Sequence, residues 1–180
     1  MKTLGVALAA GAGVRFGGPK APFNYQGIRL VDRAVANLRL GGCQSVVVVL
    51  GAWIGEVPDA DETLINPNWE KGISSSLRVA IEYAIDSVYE RLCLTLVDLP
   101  GLTPAAFTRV LASERGLATA TYSGAPTHPV VITREHWRPL LNSLSGDTGA
   151  RNYLRNQGGL VEEIAIDDVA VGDDLDFQPT

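Results

Sequence analysis

Apolar positions along this chain follow two periods in turn. Thr3–Ala9, Ser45–Leu50 and Leu92–Val97 are short, nearly continuous apolar runs, the second holding four consecutive valines. Such runs predict strands buried on both faces, as in a parallel sheet. Between them, Leu30–Leu40 and Ile73–Ser87 carry apolar residues at three- and four-residue spacing, which predicts amphipathic helices. Gly41-Gly42 ends the first of these. Thr63–Ile65 reads as a short strand leading into the Asn66-Pro67-Asn68 turn. Thr103 as N-cap and Pro104 at the first helical position open a helix to about Ser113. Further on, Leu117–Tyr122, Val130–Thr133 and Leu160–Ile166 read as strands, and Arg134–Leu144 and Asp147–Asn156 as helices.

Alternating strands and helices predict an α/β fold with a mostly parallel sheet covered on both faces. The 180 residues contain no linker-like break, so one domain over 1–180 is expected. Ligands of such sheets bind at the carboxyl ends of the strands. The segment after Thr3–Ala9 and Asp98, after Leu92–Val97, should therefore share one rim.

That first segment is Leu8-Ala9-Ala10-Gly11-Ala12-Gly13-Val14-Arg15-Phe16-Gly17-Gly18-Pro19-Lys20. Glycines let the backbone bring bare N–H groups close to an anion, and Arg15 and Lys20 add the cations a phosphate chain needs. A P-loop is excluded, because Pro19 stands in the lysine position and Ala21 follows Lys20. The dinucleotide fingerprint fits at Gly11 and Gly13 but meets Phe16 at its third glycine, with Asp32 near the place of the ribose-binding acid. A plain strand-to-helix turn is the structural alternative.

Net charge is −5 with the acids spread along the chain, which argues against a nucleic-acid track or an anionic membrane surface. No apolar run approaches membrane-spanning length, and no secretory leader is expected, so the location expected is cytoplasmic. Cys43 and Cys93 lack CxxC spacing and read as buried free thiols in a reducing compartment. With only His128 and His136 beside them, a zinc site is not expected.

Asp98-Leu99-Pro100 offers a carboxylate that can ligate a divalent cation next to phosphates, or serve as a turn acid. The acidic run Asp173, Asp174, Asp176 reads by pattern alone as a solvated terminus. Ser74, Ser75 and Ser76 can cap the following helix or meet a ligand. Asp147 and Arg151 stand four apart, which suits an ion pair on one helix, with Asp147 also placed as an N-cap.

Taken together, these segments resemble the MobA-like nucleotidyltransferases. Leu8–Lys20 looks like their L-A-A-G-x-S/G-x-R-M/F-G-x-x-K signature. Asn66-Pro67-Asn68-Trp69-Glu70-Lys71-Gly72-Ile73-Ser74-Ser75-Ser76-Leu77 resembles N-x-x-W-x-x-G-M/I-x-x-S-L/I, and Asp98-Leu99-Pro100 resembles their D-x-P. His128-Pro129-Val130 and Gly146-Asp147-Thr148-Gly149-Ala150-Arg151 resemble their H/N-P-V/I/A and G-D-x-G-A/V-R elements. Ala10, giving L-A-A-G, is similar to the molybdenum-cofactor cytidylyltransferase branch; guanylyltransferases usually carry L-A-G-G. The resemblance implies a Rossmann-like three-layer sandwich of the nucleotide-diphospho-sugar transferase type. It implies Mg2+-dependent transfer of a nucleoside monophosphate, CMP ahead of GMP, from a nucleoside triphosphate to a phosphorylated acceptor such as molybdopterin; the alternatives are the same fold acting on a sugar, alditol or lactate phosphate, or a nucleotide-binding protein that no longer transfers.

Site roles follow from the same resemblance. Leu8, Ala9, Ala10, Gly11, Ala12, Gly13, Arg15, Lys20, Ser76 and Asp98 would bind the nucleotide, with Arg15, Lys20 and Asp98 catalytic. His128, Asp147 and Arg151 would bind the acceptor. Asp98 and Asp176 would hold the metal, although Phe177-Gln178-Pro179-Thr180 departs from the family's closing T-P-x-D. The partners it implies include a molybdoenzyme or its chaperone, for a protein that is a monomer or a weak homo-oligomer.

Overall fold

The computed structural model describes residues 1–179. Nine strands and five α-helices follow in order: β1 (Thr3–Ala9), β2 (Asn24–Tyr25), β3 (Ile28–Arg29), α1 (Leu30–Leu40), β4 (Ser45–Leu50), β5 (Glu62–Ile65), α2 (Ile73–Ile85), β6 (Arg91–Leu96), α3 (Pro104–Leu111), β7 (Leu117–Tyr122), β8 (Ala125–Thr133), α4 (Trp137–Ser143), α5 (Arg151–Gln157) and β9 (Val161–Ala165). Seven strands form one sheet in the order β5-β4-β1-β6-β8-β7-β9, and β2 and β3 form a separate hairpin. β5, β4, β1 and β6 pair in parallel, β8 runs against both β6 and β7, and β9 is parallel to β7.

The strand period of two divides the core between two layers of helices. Ala7, Ala9, Val46, Val48, Leu50 and Cys93 pack against α1 and α3. Leu4, Val6, Leu8, Val47, Val49, Leu92 and Leu94 pack against α2 and α4, with Tyr153 of α5. The expected three-layer α/β sandwich is thus observed, with six strands pointing one way and β8 the other. The two cysteines are free and buried. The hydrogen-bonded Cys43 thiol, with burial, holds the Cys93 thiol well above its ordinary range.

Several element boundaries differ from those the sequence predicts. β8 begins at Ala125 rather than Val130, because Ser123-Gly124 forms a two-residue turn with φ of 51° and 76°. Two positive φ values make the hairpin turn whose twist matches paired strands. The helix expected over Arg134–Leu144 begins only at Trp137. Pro139 lacks an N–H, and starting there places it in the first turn, where none is needed. Thr103 sits at the N-cap of α3, but its hydroxyl donates to the Val169 carbonyl at 2.8 Å and caps nothing.

The largest correction concerns Gly146–Arg151. The helix starts at Arg151, not Asp147, and no Asp147–Arg151 ion pair forms among the described residues. Asp147 instead reaches across to α2, where its Oδ1 accepts from the Ile73 N–H at 3.0 Å. The Ser74 N–H donates to the Gly146 carbonyl at 3.1 Å, and the Gly149 N–H donates to Ser74 Oγ at 3.1 Å. Gly72 lies between the two segments with φ 95°, and a Cβ there would stand 2.5 Å from Asp147 Oδ1. A loop far along the chain therefore caps α2, and the α2 serines do not.

The acidic tail is stitched back onto the connection between β6 and α3. Besides the Thr103–Val169 bond, the Val171 N–H donates to the Gly101 carbonyl at 3.0 Å and the Leu175 N–H to the Asp98 carbonyl at 2.8 Å. Arg109 of α3 adds a bond to the Ala165 carbonyl and a bidentate pair with Asp168.

Two outcomes follow. Asp147→Ala should destabilise the protein by about 1 kcal/mol through loss of the α2 cap, read from urea denaturation midpoints. The hydrogen-bonded Arg109 guanidinium lowers the Asp168 carboxyl from 3.8 to about 2. A carboxyl depressed in the folded state adds stability above its unfolded value that disappears as pH falls through the folded one. Asp168→Asn should accordingly flatten the acid limb of the stability–pH curve between about 4 and 2.

Candidate active site

The parallel pairing of β1 with β6 sets Leu8 opposite Leu96, so the loops leaving both strands share a rim. A cleft of about 330 Å³ opens there. Leu8–Gly13 form one wall, Trp69, Gly72, Ile73 and Ser76 another, and Lys20 and Asp98 meet within it.

The glycine loop folds on itself after Gly13. The N–H groups of Gly17 and Gly18 both donate to the Gly13 carbonyl, at 2.9 and 3.1 Å. Gly13 has φ 58°, and a Cβ on it would lie 2.0 Å from the Gly18 carbonyl oxygen. The N–H groups of Gly11, Ala12 and Gly13 donate to no protein acceptor among the described residues. Phe16 is buried and meets Phe23 edge-on at 4.8 Å, anchoring the loop. No helix follows the loop directly. The β2–β3 hairpin intervenes before α1, and Asp32 is held in a bidentate pair by Arg29 at 2.6 and 2.8 Å. Both features depart from a dinucleotide fingerprint, whose loop opens a helix.

Lys20 Nζ lies 2.9 Å from Asp98 Oδ2 and 3.9 Å from Asp176 Oδ1, with only 15% of its side chain exposed. Arg15, which is largely exposed, stands 3.3 Å from the same Asp176 oxygen. Asp98 Oδ1 is buried and has no hydrogen-bond partner. Burial, with Asp98 and Asp176 nearby, pushes the Asp174 carboxyl above its ordinary value, against the pull of Lys20. A buried carboxylate oxygen without a partner, with a second carboxylate across Lys20, fits the donor set of a hard divalent cation. Among the described residues, no group of three or more His, Cys, Asp or Glu side chains stands ready to hold a metal.

Ser76 Oγ is buried and accepts from Asn66 Nδ2 at 2.9 Å, and Asn66 also reaches Ser75 Oγ at 2.8 Å. Trp69 and Glu70 also line the cleft, and Asn66 stands behind it on Ser75 and Ser76; all three lie in the Asn66–Leu77 segment, whose pattern carries no sign of which part turns toward the cleft. Asp174 was hidden in a charge run that reads as solvated.

His128 stands outside the cleft lining but on the same rim. Its Nδ1 lies 3.1 Å from the Leu94 carbonyl. Burial pushes its imidazole below the ordinary value; the Leu94 carbonyl and Asp98 oppose this, and Arg151 reinforces it. Arg151 is exposed at the start of α5. Asp147 lines the cleft, with one oxygen committed to Ile73.

No helix among the described residues is long and apolar enough to cross a membrane. Residues 5–161 match the model of the MobA-like NTP transferase domain. A protein of Paenarthrobacter nicotinovorans named nicotine blue oxidoreductase is 36% identical over 96% of this chain and 91% of its own. Rv0371c of Mycobacterium tuberculosis superposes with a TM-score of 0.81 and 25% identity, over 98% of this chain and 93% of that one. A complex of Rv0371c with manganese gives 0.75 at 22% identity, over 97% and 94%. A nucleotidyl transferase of Methanothermobacter thermautotroptrophicus shares the fold, with a TM-score of 0.76 and 17% identity over 91% and 87%. By sequence this chain belongs to the MobA-like NTP transferase domain family.

Proposed function

We propose that this protein is a nucleotidyltransferase that moves CMP, or failing that GMP, from a nucleoside triphosphate to a phosphorylated acceptor, molybdopterin being the first to test. The observation that carries this reading is the Lys20–Asp98 pair in a cleft walled by the glycine loop. The free N–H groups of Gly11–Gly13 would receive the phosphates, and Ser76, which accepts from Asn66, keeps its own hydroxyl proton to donate to the nucleotide. Ala10 at the loop entrance favours the cytidylyl branch. Arg15 and Lys20 would neutralise the triphosphate. An oxygen of the acceptor phosphate would attack the α-phosphorus while the bond to the β-phosphate oxygen breaks, and pyrophosphate leaves with the electron pair. A phosphate is already a nucleophile at neutral pH, so positioning and charge stabilisation suffice.

Asp98 and Asp176 would hold the metal, which when bound offsets charge on the reacting oxygens. The orphaned Asp98 Oδ1 supports this, as does the manganese complex of the mycobacterial relative for a divalent ion in general. His128 and Arg151 would meet the acceptor, and Asp147 would brace the rim between them and α2.

A second reading, oxidoreduction in the same cleft, is favoured by the name of the 36% identical relative. Phe16 in the loop and the Arg29-bound Asp32 stand against it.

Pyrophosphate release from CTP or GTP with Mg2+ and a panel of phosphate acceptors tests the transfer reading. Turnover with at least one acceptor is expected. Lys20→Ala and Asp98→Asn should each lower kcat/KM by about 10²–10³ with the fold retained by circular dichroism. Tighter binding of NADH than of CTP and GTP, with no pyrophosphate released, would favour the second reading instead.

A further inference from the structure

Lys20 faces a conflict within the proposed mechanism. Its ammonium is asked to neutralise a triphosphate, yet it sits 2.9 Å from Asp98 Oδ2 and 3.9 Å from Asp176 Oδ1, the two carboxylates assigned to the metal. A divalent ion drawn to the free Asp98 Oδ1 and to Asp176 would stand close to the ammonium on Asp98 Oδ2, and two cations that near repel, so the ion and the ammonium compete for the pair. The other cation of the loop, Arg15, is mostly exposed and, among the described residues, pairs only with Asp176. Lys20 is mostly buried, on a flexible four-carbon stem, and lines the same cleft as the bare N–H groups of Gly11–Gly13. A short swing therefore carries its charge from the carboxylates to the phosphate side without leaving the cleft.

We propose that Lys20 is an exchange cation: it neutralises Asp98 and Asp176 until a divalent ion takes them, and is thereby released onto the triphosphate. This rests on the transferase reading of the cleft. Its consequence is positive coupling. The metal frees a phosphate ligand for the nucleotide, and by linkage the nucleotide, by holding Lys20 away, tightens the metal. Lys20 then contributes to nucleotide affinity mainly when the metal is present. A lysine that merely added fixed positive charge to the cleft would act equally with and without it.

The test has two arms. In the first, Mn2+ alone is titrated into nucleotide-free protein and followed by electron paramagnetic resonance. Lys20→Met should bind Mn2+ about tenfold more tightly than wild type, Lys20→Arg should stay near wild type because it keeps the competing charge, and Asp98→Asn should abolish the site. In the second, a fluorescent CTP analogue is titrated in EDTA and in saturating Mn2+. Lys20→Met should weaken affinity about tenfold in Mn2+ and clearly less in EDTA, where only the uncovered carboxylates act on the nucleotide. An unchanged or weaker Mn2+ affinity in Lys20→Met overturns the exchange, as does an equal loss of nucleotide affinity in both conditions. The Mn2+ arm contains no nucleotide, so its failure overturns the exchange alone. Absence of CTP and GTP binding by the wild-type protein overturns the transferase reading and the exchange with it.

Discussion

Everything at the site depends on β1 being hydrogen-bonded in parallel on both sides, to β4 and to β6. The strand is wholly buried, and its alternation commits Leu4, Val6 and Leu8 to one helical layer and Ala7 and Ala9 to the other. A slip of one residue would exchange those two sets, so the register is fixed by both cores at once. With the register fixed, the glycine loop and the Asp98 turn leave neighbouring strands at the same level. The 2.9 Å approach of Lys20 to Asp98, seventy-eight residues later, is a consequence of this pairing.

The same economy governs the tail. Asp174 and Asp176 would repel Asp98 if they came near without compensation. They come near because Val169, Val171 and Leu175 each make a hydrogen bond to the turn that follows β6, and because Lys20 and Arg15 lie between the acids. A segment whose composition reads as solvated is thus drawn in by bonds to its main chain that composition does not encode. Neither the Leu175 N–H nor the Asp98 carbonyl carries a sequence signal, since every residue but proline has both.

Strands and helices with a strong period were legible: β1, β4, β6, α1 and the start of α2 lie where their apolar spacing puts them. The glycine loop, Lys20, Ser76 and Asp98 were legible as residue types at the right strand ends, and the structure brings them into one cleft. What was not legible is pairing across distance. The Asp147 carboxylate looked like the cap of its own helix because the four-residue spacing to Arg151 is a local pattern. It caps α2 instead, since Gly146 and Gly149, both with φ 53°, bend the loop away from helix and toward Ile73. The role of Asn66 is illegible for a similar reason: its partners, Ser75 and Ser76, lie nine and ten residues on, too far to form a local pattern.

The direction of β8 shows how one reversed strand completes the site. If β8 ran parallel to β6, His128 would fall at the far end of the sheet, because it precedes the apolar part of its strand. The Ser123-Gly124 turn reverses the chain, so Val130 pairs with Leu94 and Thr133 with Arg91. The early residues of β8 then lie beside the carboxyl end of β6, and His128 comes to rest against the Leu94 carbonyl, within the fields of Asp98 and Arg151. The hairpin turn is therefore what carries His128 to the rim of the candidate cleft. A parallel sheet places ligands at one rim, and a single antiparallel strand lets the start of a strand, and not only its end, contribute chemistry there.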